Sequence, residues 1–294
     1  MTAGSGVQAV AAPGGAIAMP EVRRGPSFWD RFKRNRLAVI GLAILLVLGI
    51  AAVIGPSLVD PPRQQNVVER FQRPSIDHWF GTDEVGRDIF SRVVNGARIS
   101  IASALAAVAV GLFGGTLLGL IAGYLEGRIG LAIMALMDLM LALPAILLAI
   151  TIAARLGPGL RSAMIAAGLV GLPNYARLAR GSALTVKRRE FVEAANALGA
   201  SRTRIMVRHI LPNILTPLIV QATIGVGNAI LLVSALGYLG IGAQQPTPEW
   251  GRMLSDAQKY ILDAPYIGIF PGVAIALTVI GFNLAGDGLR DAMS

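Results

Sequence analysis

Residues Arg189–Asn213 read REFVEAANALGASRTRIMVRHILPN, a polar, charged stretch between two apolar runs. Lys187, Arg188, Arg189, Arg202, Arg204 and Arg208 concentrate positive charge in it and at its margin. Glu190 to Leu198 consists of helix-compatible residues with Phe191, Ala194, Ala195 and Leu198 on one face, and Gly199 falls where a helix end calls for a left-handed residue. Ser201 is placed to cap a second short helix over 202–210, and Pro212 is expected to end that helix before the membrane. The stretch thus predicts a knob of helix, glycine corner and helix; the plainer reading is an amphipathic loop whose arginines rest on anionic headgroups.

Composition makes the flanking runs membrane segments. With 54% apolar and 15% charged residues and a mean hydropathy of +0.63, 294 residues have too little polar surface for a soluble globule. The absence of cysteine leaves no disulfide framework, and two distant histidines, His78 and His209, argue against a His-based metal site. The net charge of +9 does not gather on one domain, as nucleic-acid binding would require; it sorts by side of the membrane.

In chain order, 1–22 is a Gly, Ala and Pro-rich tail expected to be disordered, without the charged start and apolar core of a signal peptide. Residues 23–56 comprise a basic arm with Phe28, Trp29 and Phe32 among its arginines, then a first span over 37–54. Residues 57–97 form an extracytoplasmic loop in which Asp83, Glu84 and Asp88 lack the alternation of a calcium loop, so capping and ion pairing are expected there. Further spans are expected over 99–125, 129–154, 162–175 (ended by Pro173 and Asn174), 214–243 and 266–286. Gly111, Gly115, Gly119 and Gly123 line one face of the second span and predict close approach of another helix. The expected fold is an all-α membrane protein of six transmembrane helices. The more basic segments lie on the side of both termini, which the positive-inside rule makes cytoplasmic.

Glu193-Ala194-Ala195, Gly199, Arg208-His209 and Leu211-Pro212 resemble the EAA loop of binding-protein-dependent ABC importer permeases, with His209 where that family's broad pattern often has isoleucine. HWFGTDEVGRD at 78–88, DLMLALPAILLAI at 138–150, LGIGAQQPTPEWG at 239–251 and GDGLRDAM at 286–293 are similar to segments of its peptide and nickel branch, C-type subunits included. The resemblance implies a MetI-like five-helix core within 98–294, preceded by one extra helix, with 187–212 as a cytoplasmic coupling hairpin. It further implies a bacterial inner-membrane subunit that pairs with a second permease subunit, two ATPase subunits that bind ATP and magnesium, and an extracytoplasmic solute-binding protein. No cofactor is expected in this chain itself.

The residues offer little catalytic chemistry. None of Lys33, Lys187 and Lys259 follows a glycine, so there is no phosphate-binding P-loop, and no plausible Ser-His-Asp set exists. The expected role is transport without catalysis, of dipeptides, D,D-dipeptides, oligopeptides, glutathione or nickel chelates. An ion-coupled secondary transporter or a channel subunit is the alternative; a relay carrier normally needs several intramembrane ionisable groups, and here Asp138 stands out alone. Gln221 and Asn228, seven residues apart on one helix face with Gly225 between, are candidates for the solute path together with Asp138.

Overall fold

The computed structural model describes residues 28–59, 61 and 63–293; the tail over 1–22 and the start of the basic arm lie outside them. Among the described residues the chain is helical without a sheet; an isolated bridge pairs Thr82 with Asp88. The helices are α1 (Phe28–Arg34), α2 (Arg36–Val53), α3 (Gly55–Leu58), α4 (Ile89–Leu125), α5 (Gly127–Ala142), α6 (Ala145–Leu156), α7 (Leu160–Lys187), α8 (Glu190–Ala197), α9 (Arg202–Arg204), α10 (Leu211–Tyr238), α11 (Trp250–Ala257) and α12 (Tyr266–Met293). Within the described residues α2, α4, the stretch from Arg202 to Tyr238 and α12 are long and apolar enough to cross a membrane. The pair α5 and α6 would add a fifth span if counted as one.

The centre of the bundle is the contact of α4 with α7, and it is a contact between backbones. A methyl group added at Gly111, Gly115 or Gly123 would lie 2.8, 2.5 and 2.9 Å from the carbonyl oxygens of Gly168, Leu172 and Arg180, and one at Gly119 would collide with the carbonyl of Ala176. The two four-residue ladders run in register, so the stripe read in the sequence finds a partner along four turns. Buried Ala176, Ala179 and Ala183 complete the seam. Such proximity multiplies van der Waals contacts where lipid offers no hydrophobic drive between helices.

Proline positions depart from the sequence reading in both directions. The expected third span, 129–154, is broken: Leu143 and Pro144 are extended, and α5 and α6 meet at a 101° bend. A residue before proline avoids the helical region, and nothing overrides that here. The expected fourth span does not stop at Pro173 and Asn174, because α7 runs on to Lys187, with Pro173 buried in the helix. Packing along the glycine seam outweighs the single hydrogen bond that proline removes.

Other boundaries move for local reasons. The second span begins at Ile89, ten residues before the expected 99, because Asp88 accepts a 2.7 Å bond from the Ser91 amide and caps the helix. The sixth reaches Met293, since Gly288 lets α12 pack on Ala38 and Phe32, and Asn35 donates to Asp291 at 2.9 Å. The first span matches within a residue; Leu46, Val47 and Ile50 stay exposed, as suits hydrocarbon.

At the end of the bundle opposite the hairpin, residues 63–88, the first turns of α4 and α11 form a polar cap; the expected loop over 57–97 thus ends at α4. Arg87 Nε donates to Asp83 Oδ2 at 2.6 Å, Arg87 also reaches Glu84 at 3.1 Å, and Arg92 lies 3.8 Å from Asp83; His78 meets Asp88 at 2.9 Å. The three loop carboxylates thus serve in ion pairs and a cap, as the sequence suggested. Glu249, fully buried, caps α11 by accepting from the Gly251 and Arg252 amides at 2.9 and 2.8 Å. Burial pushes its carboxyl above the ordinary range.

Gly115→Leu drives a side chain into the α7 backbone and should cost about 1–3 kcal/mol or more through overpacking. Gly49→Leu on α2, where an added Cβ meets nothing within 4 Å, should leave stability unchanged. Thermal unfolding of both variants in one detergent checks the contrast.

Candidate functional site

A cavity of about 600 Å³ opens between α4, the α5–α6 elbow, α7 and α10. The elbow creates it: by turning away at Pro144, the chain sets Met140, Leu143 and Ile146 as one wall instead of filling the space with a straight helix. Opposite stand Asn174 and Tyr175 of α7 and Gln221, Gly225 and Asn228 of α10. The pair expected on one face, Gln221 and Asn228, therefore does line a common space. Between them a Cβ at Gly225 would collide with the Tyr175 hydroxyl, so glycine there seats the tyrosine against α10. The wall is apolar with a few uncharged amide groups, which suits a solute that carries its own polar backbone.

Asp138, the third path candidate, does not line the cavity. It accepts from Arg177 Nη2 at 2.6 Å, linking α5 to α7 near the cavity's hairpin-side end. Sequence reading missed Arg177 and Asn174 because it ended the fourth span before one and treated the other as a stop signal.

The hairpin has the expected helix, corner and helix. Gly199 has φ +77°, the Gly199 amide donates to the Asn196 carbonyl at 3.0 Å and the Ala200 amide to that of Ala195 at 3.1 Å, which together close α8 in a Schellman motif. Ser201 accepts from the Arg204 amide at 3.3 Å and caps α9. The second limb differs from expectation: Ile205–Ile210 forms a π-helical turn that runs into α10, and Pro212 does not end it. In that wide turn the Leu211 amide bonds to the Met206 carbonyl, five residues back, and the register shift makes room for the proline ring at the start of α10.

Val192 anchors α8 at 3% exposure, and Ile205, Ile210 and Ile214 anchor the second limb. Phe191 at 41% and Leu198 at 88% point away, with Glu193, Ala194 and Arg208 also exposed. His209 lies 6.5 Å from the Phe191 ring, and Ala195 and Leu211 are half-buried. The hairpin's base is held by Lys187, which donates to the Tyr124 carbonyl at 2.8 Å and to Glu126 at 2.7 Å.

Residues 115–294 match the family described as "Binding-protein-dependent transport system inner membrane component". The chain belongs to that family. Residues 26–74 of this permease match the N-terminal TM domain of oligopeptide transport permease C. The permease is 50% identical over 266 residues to a dipeptide transport system permease protein of Alkalihalophilus pseudofirmus, covering 90% of this chain and 88% of that one. It is 46% identical to a probable D,D-dipeptide transport system permease protein of Escherichia coli, over 89% of this chain and 88% of that one. A glutathione transport system permease protein of Escherichia coli is 44% identical, over 94% and 93% respectively. In fold the permease is similar to a chain of the MetNI methionine ABC transporter in an inward-facing conformation, with TM-score 0.53, 21% identity and coverage of 68% of this chain and 96% of that one.

Gly199→Val should cost about 1–2 kcal/mol, because a β-branched residue resists positive φ. Nothing lies within 4 Å of an added Cβ, so backbone conformation is the whole cost and Gly199→Asn should restore most of it. Tryptic cleavage at Arg202 and Arg204 in the purified protein should be faster in the valine variant and near wild type in the asparagine one.

Proposed function

We propose that this permease is the subunit of an ATP-binding-cassette importer that forms, with a second homologous permease subunit, the path for di- or oligopeptides or related small solutes. The observation that carries the reading is the grouping of Gln221, Asn228 and Asn174 in one cavity wall that has no charge. Amides offer donors and acceptors to peptide groups without a charge that would trap the solute. The dipeptide, D,D-dipeptide and glutathione names of the relatives point to the same class.

The chain crosses the bacterial inner membrane six times in this reading, with α7 as a crossing shielded by α4 and with both termini and the hairpin in the cytoplasm. Two ATPase subunits bind ATP and magnesium, and an extracytoplasmic binding protein delivers the solute to the opposite face. Glu193, Ala194, Ala195, Gly199, Arg208, His209, Leu211 and Pro212 form the coupling element. Exposed Phe191 and Leu198 supply apolar contact to an ATPase groove, and Glu193 supplies an ion-pair partner for a basic residue there. ATP closes the ATPase dimer, the hairpin moves with it, and the two permease subunits rock to expose the cavity to the other face. A proton-coupled carrier is disfavoured because Asp138, the candidate relay, is bonded to Arg177.

In the assembled importer, Gln221→Leu with Asn228→Leu should retain ATPase activity and lower uptake at least tenfold. Cysteines at both positions should react with a small aqueous maleimide in one nucleotide state only. Glu193→Lys should keep the protein in the membrane and weaken ATPase co-purification, since reversing one member of a partly desolvated pair costs about 2–5 kcal/mol. Cysteines unlabelled in every state would place the path on another face.

A further inference from the structure

A charged element stands at the hairpin-side mouth of the cavity. Asp138 and Arg177 each lie about 15 Å along their helices from the ends at Gly127 and Lys187, at a rise of ~1.5 Å per residue. Met140 and Leu141 on α5 and Asn174 on α7, all cavity-lining, follow within one helical turn. Neither Asp138 nor Arg177 lines the cavity; the pair stands about one helical turn beyond its lining, on the hairpin side.

The pair is incompletely satisfied and open. Its single bond joins Arg177 Nη2 to Asp138 Oδ1, and the side chains remain 52% and 59% exposed. A guanidinium has five donor hydrogens and a carboxylate two oxygens, so most of the bonding capacity faces outward. The ion pairs of the polar cap behave differently: Arg87 and Asp83 are 3% and 4% exposed and share their bonds with neighbours. Charge turned toward hydrocarbon would cost several kcal/mol, so an exposed pair calls for water, headgroups or a charged solute on its open side.

We propose that Asp138 and Arg177 are a transient binding site for zwitterionic solutes, with Arg177 taking the solute carboxylate. This deepens the reading of the cavity as the solute path and rests on it. A peptide with free termini carries a carboxylate and an ammonium. As its carboxylate replaces Asp138 on Arg177, its ammonium replaces Arg177 on Asp138, so each charge changes partner and none is left bare. Arginine suits the task because its planar fork matches a carboxylate in two bonds. Asn174, one turn away on α7, then meets the peptide group behind the terminus.

The test uses the complete, nucleotide-free importer carrying Asn228→Cys and measures how a dipeptide, or the same dipeptide with its C-terminus amidated, slows labelling by a small maleimide. The free acid should protect at concentrations at least tenfold below the amide. Arg177→Gln should raise the free-acid requirement about tenfold, to that of the amide, and leave the amide's unchanged; Asp138→Asn should shift either by less than threefold. Should Arg177→Gln not accumulate, Asp138→Asn with Arg177→Gln, which leaves no unpaired charge, should show the same loss of distinction between acid and amide. Equal protection by acid and amide in the wild type, or an unchanged acid requirement without Arg177, overturns the proposal. If the cysteine labels but no dipeptide protects it, this site fails while the path stands. If the cysteine is silent without nucleotide, the same comparison is made in the ATP-bound importer; silence in both states overturns the path reading and this site with it.

Discussion

The approach of α4 to α7, glycine against carbonyl over four turns, is the constraint on which the rest of the structure depends. It holds a helix that composition alone would not recommend to a membrane, since α7 contains Pro173, Asn174, Arg177 and Arg180. Buried on one face against α4, α7 presents polar groups on another. The same helix thus carries Asn174 into the cavity, Arg177 to Asp138 and Lys187 to the corner at Glu126. A bulkier residue at Gly115 or Gly119 would displace all three together.

The hairpin and the cavity are joined through the helix that follows. From Arg202 to Tyr238 the chain is one helical stretch, interrupted in hydrogen-bond register by the π-turn at Ile205–Ile210. In the proposed coupling, movement of α8, anchored by Val192, passes through the Gly199 corner into this continuous element and so toward Gln221 and Asn228. The wide turn is the natural place for compliance, because its hydrogen bonds already depart from the regular ladder. On the opposite end, buried Glu249 and the Asp83–Arg87 pair hold the polar cap, which Ser100 and Val93 tie to α4.

Sequence periodicity revealed whatever depended on spacing along one helix. The four-residue glycine repeat, the seven-residue separation of Gln221 and Asn228, and the Gly199 corner with its Ser201 cap were all legible because each is a local rule. Proline was not legible by itself. Pro144 breaks its segment and makes the cavity, whereas Pro173 and Pro212 are carried through, and the difference lies in tertiary packing and a π-turn. Arg177 escaped notice because Pro173 suggested an end to its helix; its pairing with Asp138, 39 residues away in sequence, comes only with the α5–α7 contact.

In the proposed topology the hairpin lies on one side of the membrane and the polar cap on the other, with the cavity between. Single cysteines in this cysteine-free chain at Ser75 and at Ser201, both exposed, test that most directly with an impermeant maleimide on intact cells. Ser75→Cys should be labelled from outside, and Ser201→Cys only after the membrane is permeabilised. Labelling of Ser201→Cys in intact cells would contradict it.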